Sequence, residues 1–128
     1  MIKLAVFGAG RIGQIHAGNL ARMPQAKLRY VVDVDPKAAE RLAQRHGAKA
    51  TDRETAMADP KIGAVIIASS TDTHADLVVA AANAGKAIFC EKPIDLSLAR
   101  VDQCLKAVQE AGVPMLVGFN RRFDPSFR

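Results

Sequence analysis

Five short apolar runs recur along this chain: Ile2 to Phe7, Leu28 to Val32, Ala64 to Ala68, Ala87 to Phe89 and Pro114 to Val117, with a weaker sixth at Ala48 to Thr51. They are continuous rather than alternating and partly β-branched, as strands buried on both faces of a parallel sheet have to be. Between them the apolar residues switch to helical spacing. From about Leu96 to Ala111, Leu98, Val101, Leu105 and Val108 fall on one predicted helix face, with Asp95 as N-cap and Gly112 as the stop. Asp35-Pro36 predicts a cap followed by proline at the first helical position, in a helix that closes at Gly47. Another helix is predicted to open at Thr73, in a capping-box-like pair with Asp76, and to end before Gly85. Strand and helix alternating about five times predict an α/β fold with a doubly wound, mostly parallel sheet, and right-handed crossovers leave few other topologies.

The chain has 128 residues, enough for a single domain with its own core. With 49% apolar and 24% charged residues it reads as globular, which excludes disordered and fibrous classes. No apolar run reaches the roughly 18 residues of a membrane span, and the N-terminus lacks a cleavable leader pattern, so a cytoplasmic protein with no membrane partner is expected. The net charge of +5 comes from basic residues spread along the chain, apart from Arg121, Arg122 and Arg128, and suits a small anionic ligand. A nucleic-acid partner is not expected, because there is no basic stripe interleaved with stacking aromatics and no tryptophan. Cys90 and Cys104 stand in a strand-like and a helix-like segment without metal-ligand spacing. They are expected to be buried small hydrophobes, and no metal site is expected.

The first apolar run leads directly into Gly8-Ala9-Gly10-Arg11-Ile12-Gly13, and a helical pattern follows to about Met23. In that context the glycines have separate uses: Gly8 for the tight turn, Gly10 for close approach of a pyrophosphate, Gly13 for close helix-to-strand packing. The phosphates would sit on the helix N-terminus, beside Arg11 and Ile12, where free N–H groups favour negative charge. Twenty residues beyond Gly13 stands Asp33, at the end of the second run. A carboxylate there can accept from the adenosine ribose hydroxyls and would repel a 2′-phosphate, favouring NAD over NADP. Arg11 is the residue that argues the other way, and Asp35 is better explained as the helix cap. Together these features predict a Rossmann NAD(P)-binding fold.

Three further clusters stand where strands end, the edge at which open α/β sheets bind ligands. Ser69, Ser70, Thr71 and His74 follow the fourth strand. By their chemistry alone Thr73 is accounted for as a cap, and His74 as a packing or solvated side chain. Glu91-Lys92-Pro93 follows the fifth; Lys92 is either an ordinary solvated strand-end lysine or a group whose pKa a cationic ring and partial burial would lower toward proton chemistry. Gly118-Phe119-Asn120-Arg121-Arg122 follows the last, where the arginines either neutralise phosphate or form a solvated turn.

GAGRIGQIHAGN at 8 to 19, STDTH at 70 to 74, AIFCEKPIDLSLARV at 87 to 101 and GFNRRFDP at 118 to 125 together resemble the Gfo/Idh/MocA oxidoreductase family, and within it the bacterial inositol 2-dehydrogenases. The resemblance covers essentially the whole chain. It implies NAD-dependent oxidation of a secondary alcohol on a polyol or sugar ring, myo-inositol to 2-keto-myo-inositol (scyllo-inosose), with Lys92 as the catalytic lysine hydrogen-bonded to the reacting oxygen. Gly8, Gly10, Arg11, Ile12 and Gly13 would hold the pyrophosphate and Asp33 the ribose. Ser69, Ser70, Thr71 and His74 would flank the middle of the cofactor, and Glu91, Lys92, Asn120 and Arg122 its nicotinamide end.

One departure matters. Members of the family are more than twice this length, and their Asp-x-x-x-His catalytic segment lies in a second, mostly β domain. Neither His16, His46 nor His74 stands four residues after an aspartate, and His16 is expected to pack within the first helix. The expected organisation is therefore a dinucleotide-binding domain over 1–120, with 121–128 beginning the connection to a substrate domain. That second domain would supply the base and the homo-oligomer contacts. The alternatives are the cofactor domain of another sugar or polyol dehydrogenase of the family, or a non-catalytic NAD-binding module. An S-adenosylmethionine-binding domain would leave Glu91-Lys92-Pro93 unexplained.

Overall fold

The computed structural model describes residues 1–92, 94 and 97–118. Within these residues six strands form one parallel sheet: β1 Ile2–Phe7, β2 Ala26–Val32, β3 Lys49–Ala50, β4 Ile62–Ile67, β5 Ala87–Glu91 and β6 Met115–Gly118, in the order β3-β2-β1-β4-β5-β6. This is the 3-2-1-4-5-6 order of the dinucleotide-binding fold, with its topological switch between β1 and β4. Among the described residues five helices connect the strands: α1 Arg11–Ala21, α2 Pro36–Arg45, α3 Arg53–Ala58, α4 Thr71–Asn83 and α5 Leu98–Ala111.

Successive residues of β1 point to opposite faces and feed two separate cores. Leu4 and Val6 pack with Ala17 and Leu20 of α1 and Leu42 of α2; Ala5 and Phe7 pack with Val78 of α4 and Cys104 of α5. Val6, Val31, Val65 and Ile67 are fully buried, and each such side chain contributes about 1.5–3 kcal/mol of hydrophobic stabilisation. Both cysteines are buried thiols outside any disulfide. Among the described residues no helix is long and apolar enough to cross a membrane.

Local signals explain most of the helix boundaries. Asp35 Oδ1 accepts from the amides of Lys37 and Ala38 with Pro36 at the first helical position, and α5 ends on Gly112 in the left-handed region. Three expectations are corrected. The cap of α5 is Ser97, whose hydroxyl accepts from the Arg100 amide, while Asp95 lies outside the described residues. The buried stripe of α5 runs through Val101, Cys104 and Val108, and Leu98 and Leu105 are exposed at 83% and 48%, because α5 packs on α4 through its small residues. Helix α4 begins at Thr71 after Ser70, two residues earlier than expected. The Thr73 hydroxyl donates back to the Ser70 carbonyl at 2.7 Å instead of capping, and Asp76 pairs with Arg100.

The register aligns the strand ends. Phe7 faces both Val32 and Ile67, Ile67 faces Cys90, and Glu91 faces Gly118. Asp33, Gly8, Ala68 and Lys92 therefore follow one another along a single edge. At about 4.8 Å per strand, three steps separate Asp33 from Lys92 by about 14 Å, the reach of an extended ligand rather than a compact one.

Candidate cofactor site at the carboxyl edge of the sheet

Gly8, with φ +109°, turns the chain out of β1, and a Cβ there would lie 2.6 Å from the Ala68 backbone. Gly13 abuts the Gly8 carbonyl so closely that any side chain would collide with it. These two glycines are thus required by the fold. Gly10 is different: it has ordinary negative φ, and a Cβ there would meet nothing within 4 Å. The open space lies over the start of α1, which has no side-chain cap and no acidic residue in its first turn. An anion fits such a place, because the first amides of a helix lack intrahelical partners. Arg11 is exposed at this terminus and Ile12 half-buried.

The neighbouring cavity, about 540 Å³, is lined by Gly8, Gly10, Asp33, Val34, Ser69 and Ser70, joined by Asp52 and Arg53 at the start of α3. Asp33 is fixed by two backbone amides: Oδ2 accepts from Ala9 at 2.6 Å and Oδ1 from Asp35 at 2.8 Å. Each oxygen keeps a lone pair for a ligand hydroxyl. Val34 is 97% exposed beside it, a large apolar side chain presented to the cavity. Val34, Asp52 and Arg53 were not singled out by sequence; Asp52, which caps α3 through the Thr55 amide, carried a readable signal in its Asp-x-x-Thr spacing.

On the other side of the glycine loop, the Ser69 and Thr73 hydroxyls are 2.6 Å apart, and Thr73 also donates to Ser70. Thr71 is half-buried at the start of α4. His74 is placed differently from the expectation that it flanks a ligand. It is buried, with Nε2 2.8 Å from the Ser69 carbonyl, so it supports the loop from beneath.

At the end of β5, the Lys92 amide donates to the Gly118 carbonyl at 2.8 Å, and its side chain is exposed rather than partly buried. Glu91 reaches α1: its Oε1 lies 2.5 Å from His16 Nε2, and its Oε2 is buried with no hydrogen-bond partner among the described residues. The His16 ring meets Phe89 edge-on at 5.1 Å. Sequence reading expected His16 to pack in its helix and missed this pairing. Asn120 and Arg122 lie outside the described residues.

The glycine cradle, the fixed Asp33 and the strand order together define a dinucleotide-binding edge, and residues 2–119 match a family described as an oxidoreductase family with an NAD-binding Rossmann fold. The chain belongs to the Gfo/Idh/MocA oxidoreductase family. It is 48% identical over 126 residues to an inositol 2-dehydrogenase of Rhizobium meliloti, a match that covers 98% of this chain and 38% of that relative. A crystal structure of a myo-inositol dehydrogenase from Corynebacterium glutamicum superposes with a TM-score of 0.89 at 41% identity, covering 99% of this chain and 38% of that one. Scyllo-inositol dehydrogenase from Lactobacillus casei, solved with bound NAD(H) and scyllo-inositol, superposes at 0.90 with 32% identity, covering 100% of this chain and 39% of that one. The chain thus spans about 38% of the length of the Gfo/Idh/MocA relatives it matches.

Proposed function

We propose that this chain is the NAD-binding part of an inositol 2-dehydrogenase-like enzyme, one that oxidises myo-inositol to 2-keto-myo-inositol (scyllo-inosose). The observation that carries the reading is the sharing of one sheet edge by the Gly10 cradle, Asp33 and Lys92, in that family and at 48% identity to an inositol 2-dehydrogenase. NAD, when bound, supplies the acceptor for a hydride. Gly8, Gly10, Arg11, Ile12 and Gly13 would hold its pyrophosphate at the uncapped start of α1, and Asp33 the adenosine ribose. Ser69, Ser70 and Thr71 would line its middle, with His74 holding the Ser69 loop in place.

Lys92 is the residue assigned to the reacting alcohol oxygen, as a donor that favours negative charge developing there. Glu91, whose side chain turns toward His16, is assigned to the same end. Asn120 and Arg122 are assigned to that end as well. The base that takes the alcohol proton, the substrate-selecting residues and the homo-oligomer contacts are assigned to a further domain, with residues 121–128 leading toward it. The enzyme is placed in the cytoplasm, in keeping with two buried cysteines that form no disulfide.

A second reading keeps the family and changes the polyol, since a relative 32% identical was solved with scyllo-inositol. The test has two arms. Calorimetric titration of this chain with NAD and NADP should show tighter binding of NAD; no binding of either by the folded chain would sink the cofactor assignment. Rates of NADH formation by the intact gene product on myo-inositol, scyllo-inositol and glucose then choose the substrate, and turnover of none of them would remove the dehydrogenase reading.

A further inference from the structure

Lys92 stands just beyond the last residue of β5 and carries its amine on a long flexible stem, so something has to define where that amine is presented. Its amide is held by the Gly118 carbonyl at 2.8 Å. Gly118 in turn lies against the Phe89 ring so closely that a Cβ there would push the ring aside. Phe89 meets the His16 ring at 5.1 Å, and His16 Nε2 lies 2.5 Å from the carboxylate of Glu91, the residue that precedes Lys92. These contacts form a closed ring, Lys92 to Gly118 to Phe89 to His16 to Glu91, joining β6, β5 and α1 around one lysine.

We propose that His16 is a positioning residue of the site: through Glu91 and Phe89 it fixes the backbone turn that presents Lys92. A purely stabilising role explains the pair less well. Both partners are largely withdrawn from water, at 15% and 13% exposure, and a hydrogen bond between groups taken out of water adds only modestly to net stability. Among the described residues the Glu91 carboxylate also leaves Oε2 buried without a hydrogen-bond partner, which costs stability. An arrangement that gives up stability beside Lys92 on the binding edge is explained by geometry it enforces there. The inference rests on Lys92 serving the alcohol oxygen, as proposed above.

The test compares steady-state kinetics of the intact gene product with its His16→Phe and His16→Gln variants. Phe keeps the ring against Phe89 and removes the bond to Glu91, whereas Gln restores a donor of similar reach. His16→Phe should lower kcat about 10- to 100-fold, the effect of a displaced catalytic group, with KM for NAD and for the polyol within about 3-fold. His16→Gln should recover most of the loss. If His16→Phe lowers the Tm appreciably, His16→Asn, too short to reach Glu91, replaces it with the same expectation. Unchanged kcat in the variants lacking the bond, or a rise in KM at unchanged kcat, overturns the positioning role while leaving the dehydrogenase reading intact. A wild-type protein that binds NADH and turns over no polyol overturns that reading first, and leaves His16 nothing to position.

Discussion

Ala9 and Asp33, 24 residues apart, are joined by a 2.6 Å hydrogen bond from the amide in the glycine loop to the carboxylate at the end of β2. One side chain thus shapes the loop that would receive the pyrophosphate and is also the residue assigned to the ribose. Asp33→Ala should weaken NAD binding by at least about 10-fold, the loss of a charge-assisted hydrogen bond of about 1.5–3 kcal/mol, and should lower stability as well. Calorimetry against NAD and NADP, run beside thermal unfolding, reads both effects. Undiminished NAD affinity would take the ribose role from Asp33.

The three glycines of the loop separate fold from ligand binding. Gly8→Ala meets both a positive φ and the Ala68 backbone, and Gly13→Ala collides with the Gly8 carbonyl, so each should destabilise the chain by at least about 1–3 kcal/mol. Gly10→Ala has open space and a compatible backbone, so it should leave the Tm unchanged within a few degrees while its methyl occupies the phosphate cradle. NAD titration of Gly10→Ala should show affinity reduced about 10-fold or more, roughly 1.4 kcal/mol. Normal binding there would place the pyrophosphate elsewhere.

How much of this could be read from sequence depended on whether the signal was local. The strand ends, the Asp35-Pro36 cap and the glycine loop are written in adjacent residues, and the structure places them at the expected edge. On α5 two apolar stripes compete, Leu98 with Leu105 and Val101 with Cys104 and Val108, and only packing on α4 selects the second. Helix α3 has six residues, too few for a periodic pattern, so Arg53 and Asp52 went unnoticed as cavity residues. The pairing of His16 with Glu91 spans 75 residues and exists only because the strand order carries β5 within reach of α1.

The thiols offer a check on the core. Cys90 and Cys104 are both fully buried, and burial, reinforced by Cys104 and Glu91 nearby, pushes the Cys90 thiol up to about 12. Since the thiolate is the reactive form, neither cysteine of the native chain should react with an alkylating reagent at mildly alkaline pH, and both should react once the chain is unfolded by denaturant. Rapid labelling of Cys90 in the native state, read by mass spectrometry, would contradict the packing described for β5.

Lys86 gives the last prediction, one of sign. It is 3% exposed at the amino edge of the sheet, where Nζ donates to the carbonyls of Asp59 and Ile62, each at 2.8 Å. Burial lowers its pKa below the ordinary 10.5, opposed in part by the Asp59 carboxylate. Between the lowered folded value and 10.5 the unfolded chain therefore binds more protons than the folded one, so this group adds to stability as pH rises through that window. Lys86→Met removes that dependence and takes a donor from both carbonyls; the Asp59 carbonyl keeps the Ile62 amide, and the Ile62 carbonyl, if left unsatisfied, accounts for a loss of about 1–3 kcal/mol. The stability difference between wild type and variant, measured by urea unfolding, should favour the wild type and widen as pH is raised from neutrality toward 10.5. A difference that narrows over that range would mean the two carbonyls stabilise the ammonium by more than burial penalises it, reversing the sign assigned to Lys86.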